Sequence, residues 1–470
     1  VHPSVSIVPA WTVLPFAALL ACIAVFPLVP WTARFWSRPA VQLGVSLCFG
    51  LPMALYMASL GDHAAVVNAS LEYVQFMVLL GSLFVITGGV FLRGDIEATP
   101  AKNTALLGIG TLLASFVGTT GAAVLMIRPL LNVNRQRTHR VHTVVFAIFA
   151  IANCGGLLTP LGDPPLFLGM LRGVPFSWTM TLFPQWLFVN CLLLLTYWSL
   201  DCRAHALEPK RALIADAREV EPLRIEGKRN LLALLGVVLA VAWVPSLDVH
   251  ALTTGHARWT HLIPYRELLM AGLAFAAYRF GDREVRFVRN EFRWHPILEV
   301  AALFAGIFLA MVPALKVVAQ LAPSLPINAV TLFVFTGSLS AVLDNAPTYA
   351  TFFELARQAG GQPNVAGVQE SYLAAVSMGA VFCGAITYIG NGPNFMVKAI
   401  ADGAGVTTPS FGAYAVLWAF RYLVPILALM VCVFVAEPLW ANAIGTLGAA
   451  AWAVWALRAA RSPALATAVS

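Results

Sequence analysis

Thirteen apolar runs, most of them about the length of one bilayer crossing, follow one another with little between them, near residues 11–31, 40–60, 71–92, 104–132, 142–172, 180–200, 230–248, 264–280, 296–322, 326–356, 371–401, 411–436 and 438–457. A helix needs about 20 apolar residues to span a bilayer, so this pattern leaves the chain little choice but a bundle of membrane helices. Composition bears on one point only. Charged residues make up 11% of the chain and hydrophobic ones 59%, whereas soluble domains carry roughly 25% charged residues, a deficit that a large water-soluble core would not explain. The first run, Trp11 to Pro30, is too long for a signal-peptide core, and the opening Val-His-Pro lacks a basic n-region, so the run is expected to be a first membrane helix.

Four runs, starting at 104, 142, 326 and 371, are about 30 residues long and polar or Gly/Pro-bearing near the middle, as in Gly118-Thr119-Thr120-Gly121 and Gly162-Asp163-Pro164-Pro165. A continuous helix has no use for such a centre. A broken crossing or a re-entrant hairpin does, because irregular backbone at membrane depth must line a protected cavity.

The two clusters of the first half recur in the second. Thr159-Pro160-Leu161-Gly162-Asp163-Pro164-Pro165-Leu166-Phe167 matches Thr387-Tyr388-Ile389-Gly390-Asn391-Gly392-Pro393-Asn394-Phe395 with Thr, Gly, Pro and Phe in register. Cys154-Gly155 and Cys383-Gly384 precede them one residue out of step. Val117-Gly118-Thr119-Thr120 falls opposite Leu343-Asp344-Asn345-Ala346, so the chain reads as a duplicated unit.

Charge sets the relative orientation of the units. The +7 net charge lies in short loops rather than on one helical face, which argues for topology and against a nucleic-acid surface. Loops 32–39, 201–229 and 281–295 are basic and expected to be cytoplasmic. The 104–132 run is flanked by Arg93 and Lys102 on one side and by Arg135, Arg137 and Arg140 on the other, so it is expected to enter and leave from the cytoplasm. The 326–356 run has neutral flanks and fits a hairpin from the outside. The expected fold is therefore an all-α polytopic membrane protein with inverted repeats, two re-entrant hairpins and two broken transmembrane helices. Residues 1–200 form the first half (hairpin 104–132, broken helix 142–172), 201–229 a cytoplasmic connector, and 230–470 the second half (hairpin 326–356, broken helix 371–401).

Asp163 and Asp344 stand out, since an ionised carboxylate inside an apolar crossing costs several kcal/mol. Each could cap a half-helix, a role that does not exclude ion binding. Thr119, Thr120, Thr159, Gly162, Asn345, Thr387, Gly390 and Asn391 supply hydroxyl, amide and unwound backbone oxygens beside them, and capping or turn formation is the plainer account of the same residues. Two carboxylates close together in low dielectric resist being charged at once, so a proton and a cation such as sodium would compete for the same oxygens, the requirement for an exchanger. Glu299, Lys316, Glu354, Lys398 and Arg421 fit snorkelling at segment ends. Arg128 and Lys398 are also placed to pair an aspartate or an anionic substrate. The seven cysteines show no C-x-x-C spacing and read as small packing residues. No H-E-x-x-H, G-x-S-x-G or P-loop pattern is present, so no enzyme is expected.

Asn153 to Asp163 and Ser340-Ala341-Val342-Leu343-Asp344-Asn345-Ala346-Pro347 resemble the paired signatures of the ion transporter superfamily, in particular NhaD-type sodium/proton antiporters and the relatives labelled citrate transporters. The likeness spans about residues 71–401. It implies an elevator-type secondary transporter, a homodimer in the lipid bilayer of a bacterial cytoplasmic membrane, with no covalently bound cofactor and with sodium and protons as transported or coupling ions. The chain departs from dicarboxylate carriers in lacking Ser-Asn-Thr at the hairpin tips, and Pro164-Pro165 stands where the closest antiporters suggest hydroxyl residues. Two aspartates would repel a di- or tricarboxylate unless a metal ion came with it. Sodium or lithium exchange for protons at Asp163 and Asp344 is therefore the expected activity, with sodium- or proton-coupled citrate or dicarboxylate transport as the alternative.

Overall fold

The computed structural model describes residues 8–27, 29–36, 38–247, 263–322 and 326–461. The Val-His-Pro start, the last residue of the 230–248 run and positions 323–325 in the flank of the second hairpin lie outside these. Among the described residues the regular structure is helical apart from two short two-stranded ribbons, so the all-α expectation holds with that qualification. In the larger ribbon β1 (Phe91–Asp95) pairs antiparallel with β2 (Glu221–Glu226); the smaller joins 364–365 to 368–369.

Among the described residues, six helices are long and apolar enough to cross a bilayer: Pro39–Ser59, His63–Thr87, Phe176–Leu207, His295–Leu321, Phe411–Phe434 and Leu439–Arg461. The shorter apolar helices include Thr119–Val133, Val141–Leu157, Ala329–Ser340 and Glu370–Cys383. Each of these four lies in one of the long runs with a polar centre, because there the helix is cut.

One group of helices consists of α1 (Val13–Val25), α2 (Pro39–Ser59), α3 (His63–Thr87) and three from the second half. Its tightest pairing places α2 against His295–Leu321. A Cβ on Gly306 would lie 2.1 Å from the Ser46 carbonyl oxygen, and one on Gly50 would lie 2.7 Å from the Gly306 carbonyl oxygen. Ser46 and Gly50, one turn apart, are thus a small-residue seam of the kind that lets membrane helices touch backbone to backbone. Ser46 Oγ donates across it to the Ala302 carbonyl at 2.6 Å.

The second group begins with the first hairpin, α4 (Pro100–Val117) and α5 (Thr119–Val133). Thr99 caps α4 and Pro100 opens it. The helix ends at Gly118, whose φ of +83° suits glycine alone. The two arms then fold back on each other, since a Cβ on Gly110 would meet Met126, the two lying eight residues either side of the turn. The first broken crossing follows: α6 (Val141–Phe146) runs into a π turn and a 3-10 turn, the chain unwinds, and α7 (Pro164–Leu171) resumes. α8 (Phe183–Leu207) comes next and continues seven residues into the stretch that hydrophilicity marks as the connector.

α9 (Lys228–Trp243), α10 (Tyr265–Phe280) and α11 (His295–Leu321) return to the first group. The second hairpin consists of α12 (Ala329–Ser340), started by an Asn328/Thr331 capping box, and α13 (Asn345–Ala359). α14 (Glu370–Cys383) and α15 (Gly392–Gly403) form the second broken crossing. α16 (Val424–Phe434) and α17 (Leu439–Arg461) pack on α8 and complete the second group. The groups meet where α11 touches α13 and where α3 touches α5 and α7.

Candidate functional site

In each half, backbone and hydroxyl bonds wire the hairpin turn to the break in the following crossing, and the two halves repeat the wiring. Thr159 Oγ1 donates to the Ser115 carbonyl and accepts from the Leu161 N–H at 3.2 Å. Thr387 Oγ1 donates to the Ala341 carbonyl at 2.5 Å and accepts from the Ile389 N–H at 3.2 Å. Ser115 and Ala341 each lie three residues before a hairpin turn, at Gly118 and Asp344. Unwound backbone in an apolar surround must find partners for its polar groups, and these threonines provide them. Their hydroxyls are occupied with the backbone and do not reach the aspartates.

Glycines let the unwound segments close. A Cβ on Gly162 would sit 2.1 Å from the Gly156 carbonyl oxygen, and one on Gly390 would sit 2.6 Å from the Gly384 carbonyl oxygen. The Gly162 carbonyl accepts the Thr119 N–H at 2.7 Å, so the tip of the first hairpin is clipped to the break in the first crossing.

At the centre is Asp163, 1% exposed. It is the N-cap residue of α7, yet its side chain makes no bond to that helix. Pro164 and Pro165 occupy the first two helical positions, where proline is well tolerated, and the carboxylate turns instead toward both hairpins. Thr119 Oγ1 donates to Oδ1 at 2.7 Å, Asn391 Nδ2 to Oδ1 at 3.3 Å, and Asn345 Nδ2 to Oδ2. Each of these donors begins or caps a helix, so the N-termini of α5, α7, α13 and α15 converge on one carboxylate, where their partial positive charge favours it. Burying such a charge costs several kcal/mol, and hydrogen bonds to a charged group return about 1.5–3 kcal/mol each. The three donors therefore offset most of the cost.

Two features leave the cluster incomplete. Among the described residues no Lys, Arg or His forms an ion pair with Asp163. The Asn345 Oδ1 oxygen, fully buried beside it, has no hydrogen-bond donor facing it, a situation worth about 1–3 kcal/mol to relieve. Among the described residues no group of three or more His, Cys, Asp and Glu side chains is arranged to hold a metal ion, and the oxygens here belong to one carboxylate, amides and a hydroxyl.

Asp344 behaves differently. It is half-buried and caps α13, its Oδ1 accepting the Ala346 N–H at 3.1 Å. It makes no hydrogen bond to the Asp163 cluster, although its charge bears on Asp163 through space. Thr120, next to Thr119, faces away into a cleft of ≈ 900 Å³ between α3, α5, α15 and the loop before α11. Arg128, Arg140 and Arg293 line this cleft, with Glu291 as its acidic residue. Arg128 and Lys398, placed by the sequence as partners for an aspartate, pair elsewhere: Arg128 with Glu291 at 3.0 Å and Lys398 with Asp402 at 2.6 Å.

Two further asparagines extend the cluster. Asn153 Nδ2 donates to Asn394 Oδ1 at 2.7 Å, while its Oδ1 accepts from Asn391 at 3.1 Å. Asn394 Nδ2 in turn holds the Gly384 and Thr387 carbonyls, both at 2.9 Å. This amide relay ties the two broken crossings together. Its members were visible as lone amides within apolar sequence, but their mutual contact spans 241 positions.

A family model described as "Putative citrate transport" matches residues 5–435 of the chain. A "46 kDa membrane protein" of Mycobacterium leprae is 27% identical over 324 residues, 66% of this chain and 71% of its own. An "Uncharacterized transporter" of Mycobacterium tuberculosis is 25% identical over 363 residues, 72% of this chain and 80% of its own. One of Mycobacterium bovis is 26% identical over 327 residues, covering 66% and 71%.

Proposed function

The chain belongs to the "Putative citrate transport" family and is a multi-pass membrane transporter, and from that premise we propose that it is a secondary carrier whose coupling cation binds at Asp163. The observation that carries this reading is the state of that carboxylate. It is buried, held by donors from both halves of the chain, without a cationic partner among the described residues, and next to an amide oxygen with no donor. A proton or a sodium ion supplies what the cluster lacks. A hard cation prefers several oxygen ligands, and Asp163, Asn345 and Thr119 offer them together with unwound carbonyls.

Competition of the two ions for one carboxylate gives sodium(lithium)/proton antiport. In this reading the second helix group, with its two hairpins and two broken crossings, moves as an elevator against the first, the halves being inverted repeats and the working unit a homodimer in the cytoplasmic membrane. Asp344 contributes charge near the site and a helix cap.

A second reading rests on a separate observation. The arginines of the 900 Å³ cleft create a potential that draws anions to the mouth of the site, as a carrier of citrate or a dicarboxylate would use, with the cation at Asp163 as the coupling ion. Proteoliposomes decide between the two. Collapse of an imposed pH gradient on adding sodium or lithium supports antiport; uptake of labelled citrate or succinate without such collapse supports the second reading; neither response in folded protein overturns both.

A further inference from the structure

Arg172 stands at the end of α7 opposite Asp163, about 13 Å along a helix that rises about 1.5 Å per residue. It joins three elements. Nη1 donates to the Ala350 carbonyl of α13 at 3.1 Å, the guanidinium lies 5.9 Å from the Phe353 ring centre, and Nη2 is 3.3 Å from Glu72 Oε2 on α3. Midway along α7, Phe167 lies 5.7 Å from the Arg266 guanidinium of α10. Helices α7 and α13 both start at the Asp163 cluster, whereas α3 and α10 belong to the other group. Arg172 therefore links the two site-bearing half-helices to each other and, through Glu72, to the helices they must move against.

The side chains of this pair are 13% and 23% exposed, so salt screens them less than surface charges. A further ion pair between the groups, Arg128–Glu291, lies at the mouth of the cleft, where Glu291 is 61% exposed. The cleft is lined by basic residues of the loops assigned to the cytoplasm, and Arg172 ends the crossing that leaves them. One flank of the site is thus open and basic, and Arg172 and Glu72 bridge the two helix groups on the opposite flank.

We propose that the Arg172–Glu72 ion pair is a latch on the outer side of the carrier: it closes while the cleft on the basic side is open, and it breaks when the Asp163-bearing group moves. The proposal rests on the alternating-access reading above.

The test uses full-length Glu72→Cys/Arg172→Cys protein in a background whose seven native cysteines are replaced. Reconstituted proteoliposomes are assayed with sodium-driven pH-gradient collapse and with labelled citrate uptake. A latch can be removed without disabling the carrier, so the uncrosslinked variant is expected to transport. A short bifunctional thiol crosslinker should then reduce transport at least tenfold, and a cleavable one should allow recovery on reduction. Crosslinked protein that transports at the uncrosslinked rate overturns the latch while leaving the carrier reading intact. An uncrosslinked variant that folds but does not transport also counts against it, whereas parent protein inactive in both assays strikes at the carrier reading instead. Glu72→Gln alone should change the apparent affinity for cargo offered at the outer face at least threefold, with less than a twofold change in maximal rate. No change in either would overturn the latch independently.

Discussion

The side-chain amide of Asn345, at the tip of the second hairpin, donates to the carboxylate of Asp163, at the break in the first crossing 182 positions earlier. The candidate site is thus assembled from both halves of the chain, and neither half contains it alone. It also follows that a change at Asp163 is felt in the second hairpin and the reverse.

Asp163→Asn keeps the shape of the side chain and removes its charge. The Thr119 hydroxyl retains an acceptor, but one amide N–H₂ now faces another at Asn345. Transport in proteoliposomes is expected to fall to background, with a detergent-solubilised melting temperature no lower than that of the parent, because the buried charge and its desolvation disappear together. An unchanged transport rate would remove Asp163 from the mechanism.

Asp344 separates charge from capping. Asn caps helices about as well as Asp, so Asp344→Asn should leave stability unchanged, whereas Asp344→Ala should cost about 1 kcal/mol. Loss of cation-dependent proton movement in Asp344→Asn, at unchanged stability, would assign a role to the charge. Full activity in that variant would leave Asp344 as a cap only.

Close backbone contact at the breaks makes their glycines sensitive. Gly162→Ala drives a methyl group to 2.1 Å from the Gly156 carbonyl oxygen, while Gly392→Ala meets nothing within 4 Å. Overpacking of this kind costs about 1–3 kcal/mol, so Gly162→Ala should unfold at clearly lower temperature and Gly392→Ala within error of the parent. Equal stability of the two would contradict the packing at the break.

How far the sequence reveals all this depends on the distance over which each contact acts. The breaks were legible because Gly118, Gly162-Asp163 and Gly390-Asn391 interrupt apolar runs too long for one crossing, and Asp163 because a carboxylate stands out there. The different fates of Asp163 and Asp344 were not legible. Both precede a half-helix, and only the three-dimensional approach of Thr119, Asn345 and Asn391 turns one of them inward and leaves the other capping its own helix. Asp201, where the hydrophilic stretch begins, is a fully buried member of α8, neutralised by Arg137 from a segment 64 positions earlier, and nothing in its local sequence marks that burial. The β1–β2 ribbon was likewise invisible, since its strands carry no alternating pattern and lie 126 residues apart at Asp95 and Glu221.

pH acts on the β1–β2 ribbon through Asp95 and Asp216. Burial pushes both carboxyls above their ordinary range; Arg135 beside Asp95 and the Ala98 N–H bound to Asp216 work against the shift without cancelling it. A carboxyl that holds its proton more tightly when folded favours the folded ribbon most below the ordinary carboxylate pKa of about 4. That contribution is lost as pH rises through the folded values. Amides of 91–95 and 221–226 should therefore exchange more slowly at about pH 5 than at about pH 8 once intrinsic rates are corrected. Asp95→Asn should flatten the difference, and protection that grows with pH would contradict the assignment.

The Arg137–Asp201 pair should matter most for stability. Asp201 Oδ1 receives Arg137 Nη1 at 2.6 Å and His142 Nε2 at 2.9 Å, while Oδ2 receives Asn103 Nδ2 at 3.0 Å. The pair is at most 1% exposed and ties the base of the first hairpin to α8. Asp201 is the nearer of two carboxylates on Arg137, the other being Glu208, 3.6 Å from Nε, so removing Asp201 leaves the buried guanidinium with the longer contact alone, at a cost of up to about 3–5 kcal/mol, while the half-exposed Lys102–Glu97 pair is worth about 0–1 kcal/mol. Asp201→Leu should therefore destabilise the protein strongly and Glu97→Ala hardly at all. Adding Arg137→Met to Asp201→Leu should recover part of the loss, because replacing both charges with apolar groups costs less than stranding one, and Glu208 keeps the Thr138 and His139 N–H groups as donors. Thermal melts of Asp201→Leu, Arg137→Met and the double variant close the cycle, and simple additivity of the two losses would show that the charges do not act as a pair.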